Sequence, residues 1–271
     1  MCGIVGAVCN RDVFGILIEG LKRLEYRGYD SAGLSLIDAN SCLNTQKTIG
    51  RVADLEDLFN GEIPNGGLGI AHTRWATHGV PSSANSHPHT SGSISVVHNG
   101  IIENHNLLKK ELRDRGATLS SETDSEVIAH LIEFYSSETG SLKEAVNKTL
   151  SRLEGAYAIC VISKHYPDKM IGARSGSPLV IGLGIGEHFM ASDQMALRQV
   201  TDRFIYLEEG DVAEVSKNEI SVFDDNGELV EREINQINES DSLSEKGEYK
   251  HFMLKEIFEQ PRVMDECLNG R

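Results

Sequence analysis

The sequence lacks the features that mark membrane, secreted and nucleic-acid-binding proteins. None of its apolar runs approaches the roughly 20 residues of a membrane helix, and its first residues lack the basic segment and apolar core of a signal peptide. Its five cysteines are an odd number without a Cys-x-x-Cys pair, which argues against a disulfide framework or a structural zinc site. With 26 basic against 41 acidic residues, the net charge is −15, which disfavours nucleic acid or an anionic membrane as partner. We therefore predict a cytoplasmic chain with neither partner.

The composition that is present suits an ordinary globular protein, with 39% apolar and 25% charged residues in a chain of 271. Apolar residues at helical spacing predict a helix over residues 13–24 and another over residues 104–115. Ser or Thr followed three residues later by Glu predicts two further helix starts, at Thr123 and at Ser141. The apolar run at residues 3–9 predicts a buried strand.

Short apolar runs separated by turn residues dominate the second half of the chain and indicate closely spaced strands. Such spacing favours antiparallel pairing, since parallel neighbours need long crossovers. Helices concentrated in the first half, together with strands that are apolar on both sides, favour two stacked sheets covered by helices, an α+β sandwich. The further strands are predicted at residues 34–37, 69–75, 93–98, 156–162, 169–173, 179–182, 189–191, 204–207, 212–215 and 220–223.

The end of the chain has a different character. Residues 235–246 are polar and lack periodicity, which predicts a linker. Residues 249–259 then have a helix-like pattern, and Pro261 follows. A chain that starts a new helix after a linker is expected to be the N-terminal part of a longer protein. We therefore divide it into a domain over residues 2–235 and a segment over residues 236–271.

Cys2 is the strongest candidate for a catalytic nucleophile. Free cysteines are often buried for packing, and that interpretation applies to most cysteines. Here only Met1 precedes Cys2, and aminopeptidase normally removes Met1 ahead of a small residue, which would leave Cys2 with both a thiol and a free α-amine. An α-amine has a pKa of roughly 7.7–8.0, so it can act as a base near neutral pH. One residue would then carry nucleophile and base together.

The dipeptide Asn99–Gly100 follows a predicted strand and offers two hydrogen-bond donors, an amide side chain and a glycine N–H. A nucleophile that attacks an amide carbonyl needs such donors to stabilise the oxyanion. Asn-Gly is most often a hairpin turn, but here the following residues lead into a helix instead of a returning strand. The pair is therefore a candidate oxyanion hole.

Arg74 and Asp124 are candidates for binding the two charged groups of an amino acid. Arg74 lies at the end of a predicted strand, beside the only tryptophan, and a guanidinium group binds a carboxylate well. Asp124 could bind an ammonium group. A carboxylate that stabilises the start of a helix is an equally good interpretation of Asp124 from the sequence alone.

Five motifs occur in order along the chain, at residues 2–6, 24–33, 72–79, 98–104 and 122–124. Together they closely resemble the glutaminase domain of the glutamine–fructose-6-phosphate aminotransferases. Residues 174–179 and 255–261 also match that family, so the resemblance covers essentially the whole chain. The residues at 26–33 favour this family over the related phosphoribosyl amidotransferases of purine synthesis.

The resemblance implies a class II glutamine amidotransferase with the N-terminal-nucleophile hydrolase fold, a four-layer αββα sandwich with mainly antiparallel sheets. It implies that Cys2, freed of Met1, attacks the side-chain amide of L-glutamine, and that Asn99 and the Gly100 N–H form the oxyanion hole. The other implied roles are the α-carboxylate clamp for Arg74, the ammonium site for Asp124, pocket lining for Thr77 and His78, proximity to the nucleophile for Arg27, and an ammonia gate for Trp75.

The same resemblance implies a larger enzyme without a metal or other cofactor. In that enzyme, ammonia would travel to a sugar-isomerase domain that binds fructose 6-phosphate and makes glucosamine 6-phosphate. Residues 236–271 would be the linker and the start of this domain. The full-length enzyme would be a homodimer.

Two other interpretations stay open. His72, His78, His87, His89 and His98 lie in one short region, as in a metal-binding module, although no Cys/His set has the spacing of a zinc site. The chain could also be a glutamine-binding fragment without catalytic activity, since the motifs would look the same in that case. Elemental analysis tests the first interpretation, and glutamate release from glutamine tests the second.

Overall fold

The apolar residues after Cys2 form strand β1 (Gly3–Cys9), as predicted, and all of them are buried. The computed structural model describes residues 2–59, 65–75, 79–237 and 249–268. β1 lies inside an antiparallel sheet, between strands β4 (Leu68–Arg74) and β10 (Glu187–Ala191). A strand covered on both faces needs such an uninterrupted run of residues without polar side chains.

Two antiparallel sheets account for the strands of the described residues. The remaining strands are β2 (Ser31–Ile37), β3 (Leu43–Ile49), β5 (His89–Ser91), β6 (Ile94–Ile102), β7 (Gly155–Ser163), β8 (Tyr166–Ser175), β9 (Val180–Leu183), β11 (Arg203–Tyr206), β12 (Val212–Ser216), β13 (Ile220–Phe223), β14 (Leu229–Val230) and β15 (Ile234–Gln236). The first sheet has eight strands in the order β15-β11-β9-β10-β1-β4-β2-β3. The second has seven strands in the order β14-β13-β12-β8-β7-β6-β5.

Helices cover the outer face of each sheet. They are α1 (Phe14–Leu24), α2 (Val52–Asp57), α3 (His105–Asp114), α4 (Glu126–Ser136) and α5 (Leu142–Leu150). α1 packs on β1 and β4, and α2 packs on β2 and β3. α4 and α5 pack on the second sheet, and α3 packs on α4. The result is the predicted αββα sandwich of four layers.

The two sheets bury a shared apolar layer between them. Ile4 and Ile70 of the first sheet share this layer with Cys160 and Met170 of the second. The Cys160 sulfur lies 3.9 Å from the sulfurs of both Met170 and Met190. Each such side chain contributes about 1.5–3 kcal/mol when it leaves water, so this layer holds β1, and with it Cys2, in a fixed position.

Two elements between residues 38 and 57 escape prediction, because neither has an apolar run. β3 is an edge strand whose residues are all at least partly exposed, so its polar sequence lacks the apolar signal of a buried strand. α2 is only six residues long, with Val52 and Leu55 as its buried residues. Both elements complete the first sheet and its helical cover.

The predicted capping box at Thr123 is wrong. α4 begins at Glu126, and Ser125 precedes it without a side-chain cap. The carboxylate of Glu126 instead accepts hydrogen bonds from the backbone N–H groups of Ser120 and Ser121, at 2.7 and 2.8 Å. The Thr123 hydroxyl lies 3.0 Å from Nε2 of His89. The carboxylate of the first residue of α4 and the contact with His89 therefore hold this segment, and the predicted Thr123 cap does not form.

Strand β6 extends beyond the predicted end of its run. The sequence predicts that the strand stops at Asn99–Gly100, but β6 continues to Ile102 and pairs with β7 throughout. Asn-Gly is not a turn here, as its flanking sequence predicts. Asn99 and Gly100 thus lie within a rigid sheet.

The end of the chain forms a second unit, Ile237–Arg271, and the first unit is Met1–Gln236. Residues 234–236 pair with β11 as strand β15, so the predicted linker cannot begin at residue 235. In the second unit, helix α6 (Phe252–Leu268) continues through Pro261 instead of ending before it. Among the helices of the described residues, none has the length and apolar character to span a membrane. The domain boundary at 235/236 stays a prediction.

Candidate active site

Four segments of the first unit meet at Cys2. They are the start of β1, the end of β4, the middle of β6 and the residues just before α4. Two pockets adjoin Cys2. The larger, of about 390 Å³, is lined by Cys2, Arg27, Trp75, Asn99, Gly100, Ile101, Glu103, Ala156, Ser177 and Pro178. The smaller is lined by Cys2, Arg74, Trp75, His87, His98, Gly100, Thr123, Asp124 and Ser125.

The Cys2 sulfur is held by the backbone of Trp75. The Trp75 N–H donates to the sulfur at 3.3 Å, and the thiol donates to the Trp75 carbonyl at 3.6 Å. Burial raises the pKa of the Cys2 thiol, and Asp124 adds to this effect, while the Trp75 N–H and Arg74 act to lower it. Because burial dominates, the thiol is protonated near neutral pH and needs a base to become a nucleophile.

Asn99 is placed beside Cys2 by the pairing of the two sheets. Its side-chain Nδ2 donates to the Cys2 carbonyl at 3.1 Å, and its Oδ1 lies 3.0 Å from Nε2 of His72. The side chain is nearly buried, with 9% of its residue surface exposed. The side-chain amide of Asn99 therefore contacts Cys2 directly, and hydrogen bonds hold both its nitrogen and its oxygen.

Gly100 occupies a position that no other residue fits. Its φ is +142°, and a Cβ at this position would lie 2.0 Å from the Ala156 carbonyl oxygen and 2.9 Å from Nε2 of His98. Gly100 lines both pockets, so a side chain here would also intrude on the space around the sulfur.

We expect Gly100→Ala to lower both stability and any activity of the site. Backbone strain of this kind costs on the order of 1–3 kcal/mol, and the clash with the Ala156 carbonyl adds to it. Thermal unfolding and glutamate release from glutamine measure the two effects. Gly116→Ala is the matched control, because Gly116 also has positive φ, +87°, but a Cβ added there would have no atom of the described residues within 4 Å. Equal melting temperatures for the two variants would contradict the steric explanation.

Arg74 and Asp124 provide opposite charges in the smaller pocket. Arg74 is buried, burial lowers the pKa of its guanidinium, and it donates to the Gly79 carbonyl at 3.3 Å. One oxygen of Asp124 accepts the Ile102 N–H at 2.7 Å, so this carboxylate ties β6 to the segment before α4. It does not cap α4, which begins two residues later. Thr77 and His78 lie outside the described residues.

Arg27 and Trp75 line the larger pocket. Arg27 ends a short 3₁₀ turn, Glu25–Arg27, and its side chain forms an ion pair with Asp193. The Tyr26 hydroxyl also donates to Asp193, at 3.0 Å. Trp75 is half exposed, and its backbone makes the contacts to Cys2 described above. Trp75 therefore contacts the sulfur, Arg27 shares a pocket with Cys2, and the roles of both residues stay predictions.

Four of the histidines noted in the sequence lie together at the smaller pocket, and two of them, His87 and His98, line it. His87 packs with its ring centroid 4.2 Å from that of His72 and 4.6 Å from that of His89, and His98 lies 6.4 Å away. Burial lowers the pKa of each of the four, so the rings are neutral. In the part of the chain that the structure describes, no three His, Cys, Asp or Glu residues are arranged to hold a metal ion.

Two residues of the site are missed by the sequence-based prediction. His72 belongs to the motif at residues 72–79. It lies two residues before Arg74 on β4, and alternate residues of a strand share a face, so this spacing could have identified His72 as a site residue. Asp193 is 166 residues from Arg27, and no sequence pattern connects the pair. Its role as partner of Arg27 becomes visible only in the fold.

The comparisons with known proteins identify the class of this site. The family described as "Glutamine amidotransferase domain" matches residues 72–199. The chain carries a glutamine amidotransferase domain. This domain includes Arg74, Asn99, Gly100 and Asp124 within the matched residues, while Cys2 precedes them.

Two curated relatives are similar to this chain over its whole length. The glutamine–fructose-6-phosphate aminotransferase (isomerizing) of Vibrio vulnificus (strain CMCP6) is 56% identical over 271 residues, which are 100% of this chain and 44% of the relative. The enzyme of the same name from Pseudomonas putida is 55% identical over 272 residues, with the same two coverages. The chain thus spans less than half the length of these relatives.

A solved structure supports the fold of the amidotransferase domain. The glutamine phosphoribosylpyrophosphate amidotransferase of B. subtilis, solved with ADP and GMP, matches with a TM-score of 0.67 and 27% identity. The match covers 88% of this chain and 50% of that chain. The αββα architecture is therefore shared with an amidotransferase of a different name.

Proposed function

We propose that the chain hydrolyses the side-chain amide of L-glutamine with Cys2 as nucleophile and releases glutamate and ammonia. The observation that carries this proposal is the position of the Cys2 sulfur. It lies where a pocket with Arg74 and Asp124 meets a pocket with Asn99. A guanidinium group, a carboxylate, a thiol and an amide donor around one point suit an amino acid whose side chain ends in an amide.

The chemistry follows from the state of the thiol. Loss of Met1 leaves an α-amine on Cys2, which takes the thiol proton, directly or through a water molecule. The thiolate attacks the amide carbon, and the tetrahedral oxyanion accepts hydrogen bonds from Asn99 and Gly100. Collapse expels ammonia with that proton and leaves a γ-glutamyl thioester. Water then attacks the thioester, which yields glutamate and returns the thiol.

The remaining site residues position glutamine in this proposal. Arg74 binds the α-carboxylate, and Asp124 binds the α-ammonium with the oxygen that does not accept the Ile102 N–H. Thr77 and His78 are proposed to contact the substrate as well. The larger pocket, with Arg27 and Trp75 at its side, is the route by which ammonia leaves.

We propose further that the whole protein is a glutamine–fructose-6-phosphate aminotransferase, as its relatives are named. Ammonia from Cys2 would then react with fructose 6-phosphate on a sugar-isomerase domain, whose linker and start lie within residues 236–271. A cytoplasmic homodimer without a cofactor is the expected form. The 56% identity along the whole chain supports this part of the proposal.

Intact mass spectrometry before and after treatment with an electrophilic glutamine analogue tests the glutaminase proposal. The mass of the untreated protein reports whether Met1 is absent. Treatment is expected to add one analogue per chain, on Cys2, and an excess of glutamine is expected to prevent the addition. Modification without protection by glutamine would contradict a glutamine site at this cysteine.

We expect Asn99→Ala to lower kcat for glutamate release by about 10²–10³-fold, because the variant lacks one oxyanion donor. The KM for glutamine is expected to change much less, since the donor acts mainly in the transition state. Asn99→Asp has nearly the same shape but no N–H donor, and we expect it to lose as much activity. A fully active Asn99→Asp variant would show that Asn99 is not an oxyanion donor.

A further inference from the structure

We infer that His72 is a positioning residue that fixes the direction of the Asn99 amide and so aims its N–H donors at the oxyanion. The inference rests on the proposed function, in which Asn99 is an oxyanion donor. His72 is a fully buried residue of β4 in the first sheet, and Asn99 is a residue of β6 in the second. Their contact therefore crosses the layer between the sheets.

Two carbonyl groups determine the hydrogen-bond directions in this contact. The Cys2 carbonyl can only accept, so the atom of Asn99 that lies 3.1 Å from it is the amino group Nδ2. The other atom of the amide is then Oδ1, which needs a donor. That donor is Nε2 of His72, at 3.0 Å.

The backbone carbonyl of His98 gives the same assignment independently. Nε2 of His72 also lies 3.1 Å from the His98 oxygen, which can only accept. The proton of the neutral His72 ring must therefore be on Nε2, where it is shared between the two oxygens. Nδ1 of His72 is buried and has no hydrogen-bond partner among the residues that the structure describes. The tautomer follows from geometry alone.

The surroundings keep the His72 ring neutral and in place. Burial is the main cause that lowers the pKa of His72 to about 3, with smaller contributions from the nearby His98 and Arg74, although the hydrogen bonds to Asn99 and to the His98 carbonyl act to raise it. The ring of His87 lies against it at 4.2 Å between centroids, with 36° between the planes. His72 therefore presents one N–H in one direction across the working pH range.

Without this donor, only the hydrogen bond from Nδ2 to the Cys2 carbonyl would hold the Asn99 amide in its present direction. A rotation of the amide by half a turn would place its oxygen towards the Cys2 carbonyl and the substrate oxygen, where two acceptors would repel. The N–H groups of Asn99 would then point at the inter-sheet layer. His72 thus acts on the reaction through Asn99, without touching the substrate.

The first test is NMR of the histidine ring nitrogens in the full chain. His72 is expected to show the tautomer protonated at Nε2 and no titration between about pH 5 and pH 9. His72→Gln, which lacks the ring, identifies the signal. A ring protonated at Nδ1, or one that titrates in this range, would overturn the inference whatever the reaction proves to be.

The second test is the kinetics of glutamate release. We expect His72→Leu to lower kcat by about 10–100-fold with little change in the KM for glutamine, because a misdirected donor weakens the transition state. His72→Gln, which keeps an N–H donor on a side chain of similar reach, is expected to recover most of kcat. The matched control is His188→Leu: His188 is also buried, but its partner is the Ser216 carbonyl. If both His72 variants lose the same activity, the donor is not what matters, and the inference is wrong.

A double-mutant cycle separates this inference from the proposed function. If His72 acts through Asn99, His72→Leu has no further effect on kcat in an Asn99→Ala background. Independent, multiplying losses would overturn the positioning role and leave the oxyanion role of Asn99 intact. An Asn99→Ala variant with full kcat would instead overturn the oxyanion role itself, and the catalytic part of the inference with it.

Discussion

Cys2→Ala is expected to abolish glutamate release from glutamine while the protein still binds glutamine. The variant lacks the sulfur that forms the thioester, and the loss of a catalytic nucleophile lowers kcat by more than about 10⁴-fold. Arg74 and Asp124, which are proposed to bind the charged groups of the amino acid, are unchanged. Isothermal calorimetry with glutamine measures the binding, and an assay for released glutamate measures the turnover.

Cys42→Ala is the matched control for the loss of Cys2. Cys42 is also a free cysteine, but it is exposed, and it lies on the connection between β2 and β3. We expect full activity from this variant. Residual turnover by Cys2→Ala above the spontaneous rate would show that another group performs the chemistry, and the glutaminase proposal would fail.

Residues added before Cys2 are expected to abolish glutamate release, although every side chain of the site is unchanged. In an extended chain, the nitrogen of Cys2 belongs to a peptide bond and can no longer act as a base. The buried thiol, whose pKa is raised by burial, would then lack a group that takes its proton. We expect kcat to fall by about 10²–10⁴-fold, the range for loss of a general base.

A removable extension allows this prediction to be tested on one protein sample. The chain is produced with a protease site that ends immediately before Cys2, and glutamate release is measured before and after cleavage of one sample. Activity is expected to appear in step with the mass change of cleavage. An equivalent removable segment at the C-terminus controls for the protease treatment. Equal rates before and after N-terminal cleavage would show that the α-amine takes no part in the reaction.

The sequence predicts the layers of the fold because burial leaves a simple pattern. β1 and the strands of the second half are apolar runs between turns, and α1 has apolar residues at helical spacing, so each is visible locally. β3 and α2 are missed for the opposite reason, since an exposed edge strand and a six-residue helix bury too little. The capping box at Thr123 is wrong because other contacts use the same side chains: the Thr123 hydroxyl contacts His89, and the Glu126 carboxylate accepts from the Ser120 and Ser121 N–H groups.

The chemical types of the site residues are determined by the sequence itself. The sequence contains a cysteine after a removable methionine, an amide side chain beside a glycine, an arginine after an apolar run and an aspartate before a helical pattern. They name the nucleophile, the donors and the charges that the proposed reaction needs. Their order in five motifs also indicates the family, without any knowledge of distances.

The tertiary structure alone decides how these groups are held. It makes Asn99–Gly100 part of a strand, ties Asp124 to Ile102, and pairs Arg27 with Asp193, 166 residues further along the chain. It also joins His72 to Asn99 across the two sheets. Such contacts join residues far apart in the chain, and no local pattern specifies them, because the partners meet only through strand pairing and the stacking of the two sheets.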